Sequence, residues 1–185
     1  MHIGGGTVKR RRLQAVPGQQ VRPTSGLVRQ ALFNVLRGLM EDAIFVDLFA
    51  GTGSVGLEAL SHGARQVYFV DNESRALQVL RANITRCAMT ARATVINGTL
   101  PQALRTLVES VQADVLFLDP PYASDLGEQT LKVVGAGHVL EPWGMVVWQH
   151  AARRSAPALV ERLSLWQSRH YGNTQLSFYI LDTHL

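Results

Sequence analysis

Five short apolar runs are spaced along this 185-residue chain with helical stretches between them. They are IFVDLF (44–49), QVYFVD (66–71), ATVIN (93–97), DVLFLD (114–119) and MVVWQ (145–149). Each is too short for a buried helix and rich in β-branched or aromatic residues, so each reads as a strand. Between them, Gly51 to His62 reads as a turn entering a helix. Residues 73–87 carry helical spacing through Leu77, Leu80 and Ile84. Pro101 opens a third helix at its tolerated first turn, and 126–135 form a fourth. Alternation of this kind predicts an α/β fold, a parallel sheet with helices on both faces. Near the end, LSLWQSRHY and TQLSFYIL flank Gly-Asn, a hairpin turn pair, so the last two strands are expected to be antiparallel at the far side of the sheet.

Sheets of this class bind ligands beyond the carboxyl ends of their strands. The first such end carries DLFAGTGSVGLEAL, in which Gly51, Gly53 and Gly56 satisfy G-x-G-x-x-G. Glycines there let the backbone turn tightly and approach a ligand at the positive end of the helix. A dinucleotide is the first reading, and with it an NAD(P)-dependent oxidoreductase. Asp47 argues against it, because a carboxylate inside the strand would oppose a pyrophosphate and suit a cationic amine. Asp71 ends the second strand, where an acid commonly binds a ribose, and Asn72 follows it. Asn97-Gly98 at the third strand's end either contacts an adenine edge or makes an ordinary turn. An adenosine with an amino-acid tail satisfies both acids, and S-adenosylmethionine is such a molecule.

The fourth strand ends in Asp119-Pro120-Pro121-Tyr122. Proline has no N–H to donate, so the pair stops the strand and stiffens the turn. The exocyclic amine of a base is a poor nucleophile, since its lone pair is delocalised into the ring. Two acceptors, the Asp119 carboxylate and the Pro120 carbonyl, would localise it. Tyr122 would give the base a stacking face, worth about 1–3 kcal/mol in single-strand binding sites. The motif points to methyl transfer onto the amine of a nucleotide outside its stack.

Charge is unevenly placed. The first 40 residues hold seven cations and no acid, whereas the remainder holds eleven cations and fourteen acids. A polyanion partner fits that asymmetry. Lys9, Arg10, Arg11, Arg12 and Arg22 are the candidate RNA contacts. Residues 1–23 read as a glycine-rich basic extension, a small hairpin, on a domain spanning 24–185. Thr24 or Ser25 caps the helix that follows, whose apolar stripe runs from Leu27 and Val28 to Leu39 and Met40. No apolar run approaches the roughly 20 residues that span a bilayer. A single cysteine, Cys87, precludes an internal disulfide and suits a reducing cytoplasm.

Several of these segments resemble the RsmD family, bacterial methyltransferases of a guanine N2 amine in 16S ribosomal RNA. They are IGGG with the basic run after it, RPTSGLVRQALFNVL (22–36), DLFAGTGSVGLEALSHGA (47–64), DPPY (119–122) and YGNTQLSFY (171–179). The resemblance implies a class I methyltransferase sheet of seven strands with the last antiparallel. It implies S-adenosylmethionine as donor and a small ribosomal subunit or assembly intermediate as substrate, with no membrane and no metal. It assigns Asp47, Gly51, Gly53 and Asp71 to the cofactor and Asp119, Pro120 and Tyr122 to the guanine. Thr24 either touches the cofactor's tail or is a simple helix cap. Gly26, Gln30 and Gln149 depart from the family pattern, which has acids there. DPPY alone also fits an adenine-N6 methyltransferase of DNA or RNA. A non-enzymatic alternative is an RNA-binding assembly factor with an inactive methyltransferase fold.

Overall fold

A computed structural model describes residues 1–16 and 25–182, in two compact units, Met1–Gly98 and Thr99–Leu185. Arg22 and Thr24 therefore lie outside the described residues.

In the first unit a basic hairpin precedes α1 (Gly26–Leu36), β1 (Ile44–Leu48), α2 (Ser54–Ser61), β2 (Gln66–Asp71), α3 (Ser74–Arg86) and β3 (Ala93–Asn97). Ser25 caps α1, its Oγ accepting the Val28 N–H at 3.2 Å. The three strands are parallel in the order β3-β2-β1, with Asp47 opposite Phe69 and Asp71 opposite Asn97. Consecutive residues Phe45 and Val46 are both fully buried, as are Phe69 and Val70. β1 and the end of β2 are covered on both faces, which is why they read as continuous apolar runs, whereas β3 has no buried residue. Each such side chain contributes about 1.5–3 kcal/mol on burial.

The second unit contains α4 (Leu104–Val108), β4 (Ala113–Leu118), α5 (Leu126–Ala136), β5 (Leu140–Ala151), β6 (Leu159–Val160), β7 (Leu163–Tyr171) and β8 (Thr174–Leu181). β4 and β5 are parallel, and β5-β8, β8-β7 and β7-β6 are antiparallel. The β7–β8 hairpin turns at Gly172-Asn173, with Gly172 at φ +60°, as its sequence predicts.

Three sequence expectations change. Eight strands are described rather than seven, because the two-residue β6 pairs onto the edge strand β7. A strand that short carries no readable periodicity. β5 begins at Leu140 rather than 145, since its register jumps between the Ala113 and Val115 pairings. Pro142 and Gly144 signal a break in the sequence, and the strand absorbs it as an irregularity. Pro101 lies in a turn, and α4 starts only at Leu104, whose N–H bonds to the Pro101 carbonyl at 3.1 Å.

Candidate functional site

The carboxyl ends of the first unit's strands gather one group of residues. Gly53 takes φ +79° as the residue preceding α2, and a Cβ there would fall 2.2 Å from Leu80, so only glycine fits this turn. Asp71 organises what surrounds it. Its Oδ2 accepts the Gly51 N–H at 2.7 Å, its Oδ1 accepts the Glu73 N–H at 2.9 Å, and its carbonyl accepts the Gly98 N–H at 3.0 Å. One residue thus ties the glycine loop, the start of α3 and the end of β3. Asn72 and Asn97 beside it are exposed.

Asp47 is only 2% exposed, and its Oδ2 accepts the Gly56 N–H at 2.8 Å in the first turn of α2. The carboxylate holds the loop against the sheet at the positive end of a helix. Asn83, fully buried on α3, donates to the Thr52 carbonyl at 3.0 Å and also bonds both backbone groups of Gln14. Asn83 was missed by sequence reading, since an Asn on a helix reads as surface.

S-adenosylmethionine, the methyl donor that the sequence resemblance implies, presents a ribose diol, an adenine edge and a cationic tail. The donor set fits it. Asp71 places its carboxylate at a strand end against the glycine loop, and Gly51 faces open space where a Cβ would meet nothing within 4 Å.

The glycine-rich N-terminus is held on α2. A Cβ on Gly6, at φ +72°, would lie 1.8 Å from the Ser61 carbonyl, so the chain crosses the helix where no side chain fits. Glu58, 2% exposed, accepts the Gly4 N–H at 3.2 Å and Arg29 Nε at 2.9 Å, and Arg29 donates onward to the His2 carbonyl at 2.8 Å. Arg29 is thus a buried anchor (5% exposed) and not part of an open basic patch, a point that charge counting missed. His62 stacks on Phe33 at 4.9 Å, and burial, the main cause, lowers its pKa although Glu58 opposes this. Ile3 and Leu13 are buried beneath the hairpin, whereas Lys9, Arg10, Arg11 and Arg12 are all exposed on it.

The second group lies in the second unit. Asp119 follows β4 directly and is half-buried, Pro120 is buried, and the Tyr122 ring is 38% exposed. The Tyr122 hydroxyl pairs with Thr174 Oγ1 at 3.1 Å, which fixes the ring's far edge on the start of β8. Ser124 takes the carbonyl of Pro121 rather than that of Pro120, through N–H (3.0 Å) and hydroxyl (2.7 Å). Arg154, beyond β5, clamps the loop that follows. It donates to the Ser124 carbonyl at 2.7 Å and to Asp125 and Glu128 at 3.0 and 2.9 Å, and lies 5.4 Å over the Trp148 ring. Sequence reading passed over Thr174 and Arg154, because their partners are distant in the chain.

His150, near the end of β5, is a core residue, 2% exposed. Its Nδ1 donates to the Ala151 carbonyl at 3.0 Å and its Nε2 accepts from Ser177 at 2.9 Å. Burial, aided by Arg154 and His170, lowers its pKa against the raising effect of the Ala151 bond, which suits the neutral ring.

The family model described as Conserved hypothetical protein 95 matches residues 1–180. The chain is 31% identical over 180 residues to a Bacillus subtilis protein named "Putative rRNA methyltransferase YlbH", covering 97% of this chain and 98% of that one. It is 27% identical over 179 residues to the Escherichia coli protein named Ribosomal RNA small subunit methyltransferase D, covering 97% and 89%. A solved structure titled "Putative methyltransferase yhhF from Escherichia coli" superposes with a TM-score of 0.84 at 26% identity, covering 98% of each chain. The fold is the α/β class I methyltransferase fold.

Proposed function

The chain belongs to the Conserved hypothetical protein 95 family, the RsmD methyltransferases, and on that premise we propose that it methylates the exocyclic N2 amine of one guanine in 16S ribosomal RNA. S-adenosylmethionine supplies the methyl group on its sulfonium. On the first unit Asp71 holds the ribose, with Asn72 beside it, and Asn97 and Gly98 meet the adenine. Gly51 and Gly53 admit the backbone close to the ligand, Asp47 faces its cationic tail, and Thr24 meets that tail's end.

On the second unit the Asp119 carboxylate and the Pro120 carbonyl accept the two amine hydrogens, which localises the nitrogen lone pair. Tyr122 stacks on the base. With the cofactor bound, the N–C bond would form as the sulfonium's S–CH3 bond breaks, leaving the neutral thioether, and Asp119 would accept the proton that the amine gives up. Positioning and electrostatics are the protein's contribution, and the reactive group is the cofactor's. Lys9, Arg10, Arg11, Arg12 and Arg22, on the extension of residues 1–23, grip phosphate and orient the RNA without choosing the base.

The observation that carries this reading is the Asp-Pro-Pro-Tyr turn. It emerges at a strand's carboxyl end, with Pro121 rather than Pro120 used by the turn's own hydrogen bonds and with Tyr122 fixed by Thr174. The test is methylation of small subunits lacking the modification with isotope-labelled cofactor, followed by mass analysis of the nucleosides. N2-methylguanosine is expected. Label in N6-methyladenosine, or none at all beside clean cofactor binding, would overturn the reading.

A further inference from the structure

The exposed arginines of the hairpin are not alone on their surface. Segment 12–15 runs beside α3, and a cleft of about 610 Å³ opens between them, lined by Arg12, Leu13, Gln14, Val79 and Arg86 among others. No carboxylate lines it among the described residues. Arg12 enters from the hairpin and Arg86 from the last turn of α3, 74 positions apart in sequence, and neither has an ion pair among the described residues. The field is felt nearby: burial raises the Cys87 thiol pKa, while Arg11 and Arg86 both pull it down.

The cleft's wall is fixed. Asn83 Oδ1 accepts the Gln14 N–H at 2.8 Å, and its Nδ2 donates to the Gln14 carbonyl at 3.1 Å and to the Thr52 carbonyl at 3.0 Å. The Leu13 N–H bonds to the Met1 carbonyl at 2.9 Å. A buried side-chain amide with three such bonds holds segment 12–15 at a set distance from the helix. Two guanidinium groups on opposite walls of a rigid, carboxylate-free cleft suit an anion with several acceptor oxygens.

We propose that this cleft is a seat for the RNA backbone, with Arg86 and Arg12 gripping phosphate from its two walls. The inference rests on the reading of the chain as an RNA methyltransferase and extends its RNA contacts from the hairpin onto α3. RNA is the polyanion favoured because the cleft is continuous with the exposed run Lys9–Arg12. Asn83 also links the seat to the glycine loop through Thr52. A nucleotide held there rests on the element that shapes the cofactor side.

The test compares two charge removals on one helix. Arg86→Gln removes a cation from the cleft, and Arg81→Gln removes an exposed cation of α3 that does not line it. The full-length proteins are titrated with labelled single-stranded oligouridine over a range of salt, and thermal melts check folding. Arg86→Gln is expected to weaken binding about fivefold at low salt and to reduce the slope of log K against log salt by about 0.7, one phosphate contact on a single strand. Arg81→Gln is expected to keep the wild-type slope. Equal losses in the two variants, an unchanged slope in Arg86→Gln, or no binding by the wild type would each overturn the seat. Methylation of small subunits is assayed in parallel. Transfer by the wild type with an Arg86 variant that binds normally removes the seat and leaves the proposed function standing. Arg86-dependent binding without transfer does the reverse.

Discussion

Arg29 and Arg154 perform the same task in different surroundings. Each reaches from one element to a backbone carbonyl of a segment that the proposed chemistry needs, His2 for Arg29 and Ser124 for Arg154, and each is held by carboxylate. The Arg29–Glu58 pair is almost fully buried, with side chains 6% and 2% exposed. Arg154 is 22% exposed, and its partners Asp125 and Glu128 are 82% and 41% exposed. Water can replace the second set of interactions but not the first. The N-terminal segment is therefore built into its unit, whereas the loop after Tyr122 is steadied on its surface.

The comparison breaks most visibly by removing one buried charge. Arg29→Ala should destabilise the protein by about 3–5 kcal/mol, because Glu58 is left uncompensated in the interior. Urea unfolding measures this, and the double variant Arg29→Met/Glu58→Leu should recover most of the loss. If the single variant unfolds at the wild-type midpoint, the pair is not the anchor described here.

Arg154→Ala should cost only about 1 kcal/mol of stability, as partly exposed pairs do. Its effect should show instead in KM for small subunits, rising about fivefold with kcat less affected. A stability loss as large as that of Arg29→Ala would erase the distinction between the two arginines.

The smallest expected effect is of pH. Burial lowers the pKa of both His62 and His150 in the folded protein. The unfolded chain then binds more protons below the ordinary histidine value of about 6.5, so the stability these rings contribute is present above that pH and is lost as pH falls through it. Urea midpoints at pH 7.5 and pH 5.5 should differ, with the lower stability in acid. His150→Gln should narrow the difference, and a difference unchanged by that variant would remove His150 from the account.

The parts of the fold written in local pattern were legible. β1 and β4 are continuous apolar runs because they are covered on both faces, and Asp71 and Asp119 are conspicuous because a carboxylate ends an apolar run. What was not legible depends on pairs far apart in the chain. Glu58 meets Gly4 and Arg29, Asn83 meets Gln14 and Thr52, and Thr174 meets Tyr122. Arg29 is one of the seven cations counted in the first 40 residues, and a charge count does not see that it is buried. His150 bonds Ser177, 27 positions further along the chain, a pairing that no local pattern signals. IGGG reads as part of a small basic hairpin, but its contact with α2, where Gly6 leaves no room for a Cβ beside Ser61, has no local signature.

The central claim is that Asp119 acts on the amine and does not merely end a strand. Single-turnover methylation of small subunits by Asp119→Ala, with cofactor affinity and melting temperature measured on the same sample, tests it most directly. The account predicts methyl transfer slowed by more than about tenfold, at least 1.4 kcal/mol of lost transition-state stabilisation, with cofactor binding and folding retained. Transfer at the wild-type rate by a folded, cofactor-binding Asp119→Ala protein would contradict it.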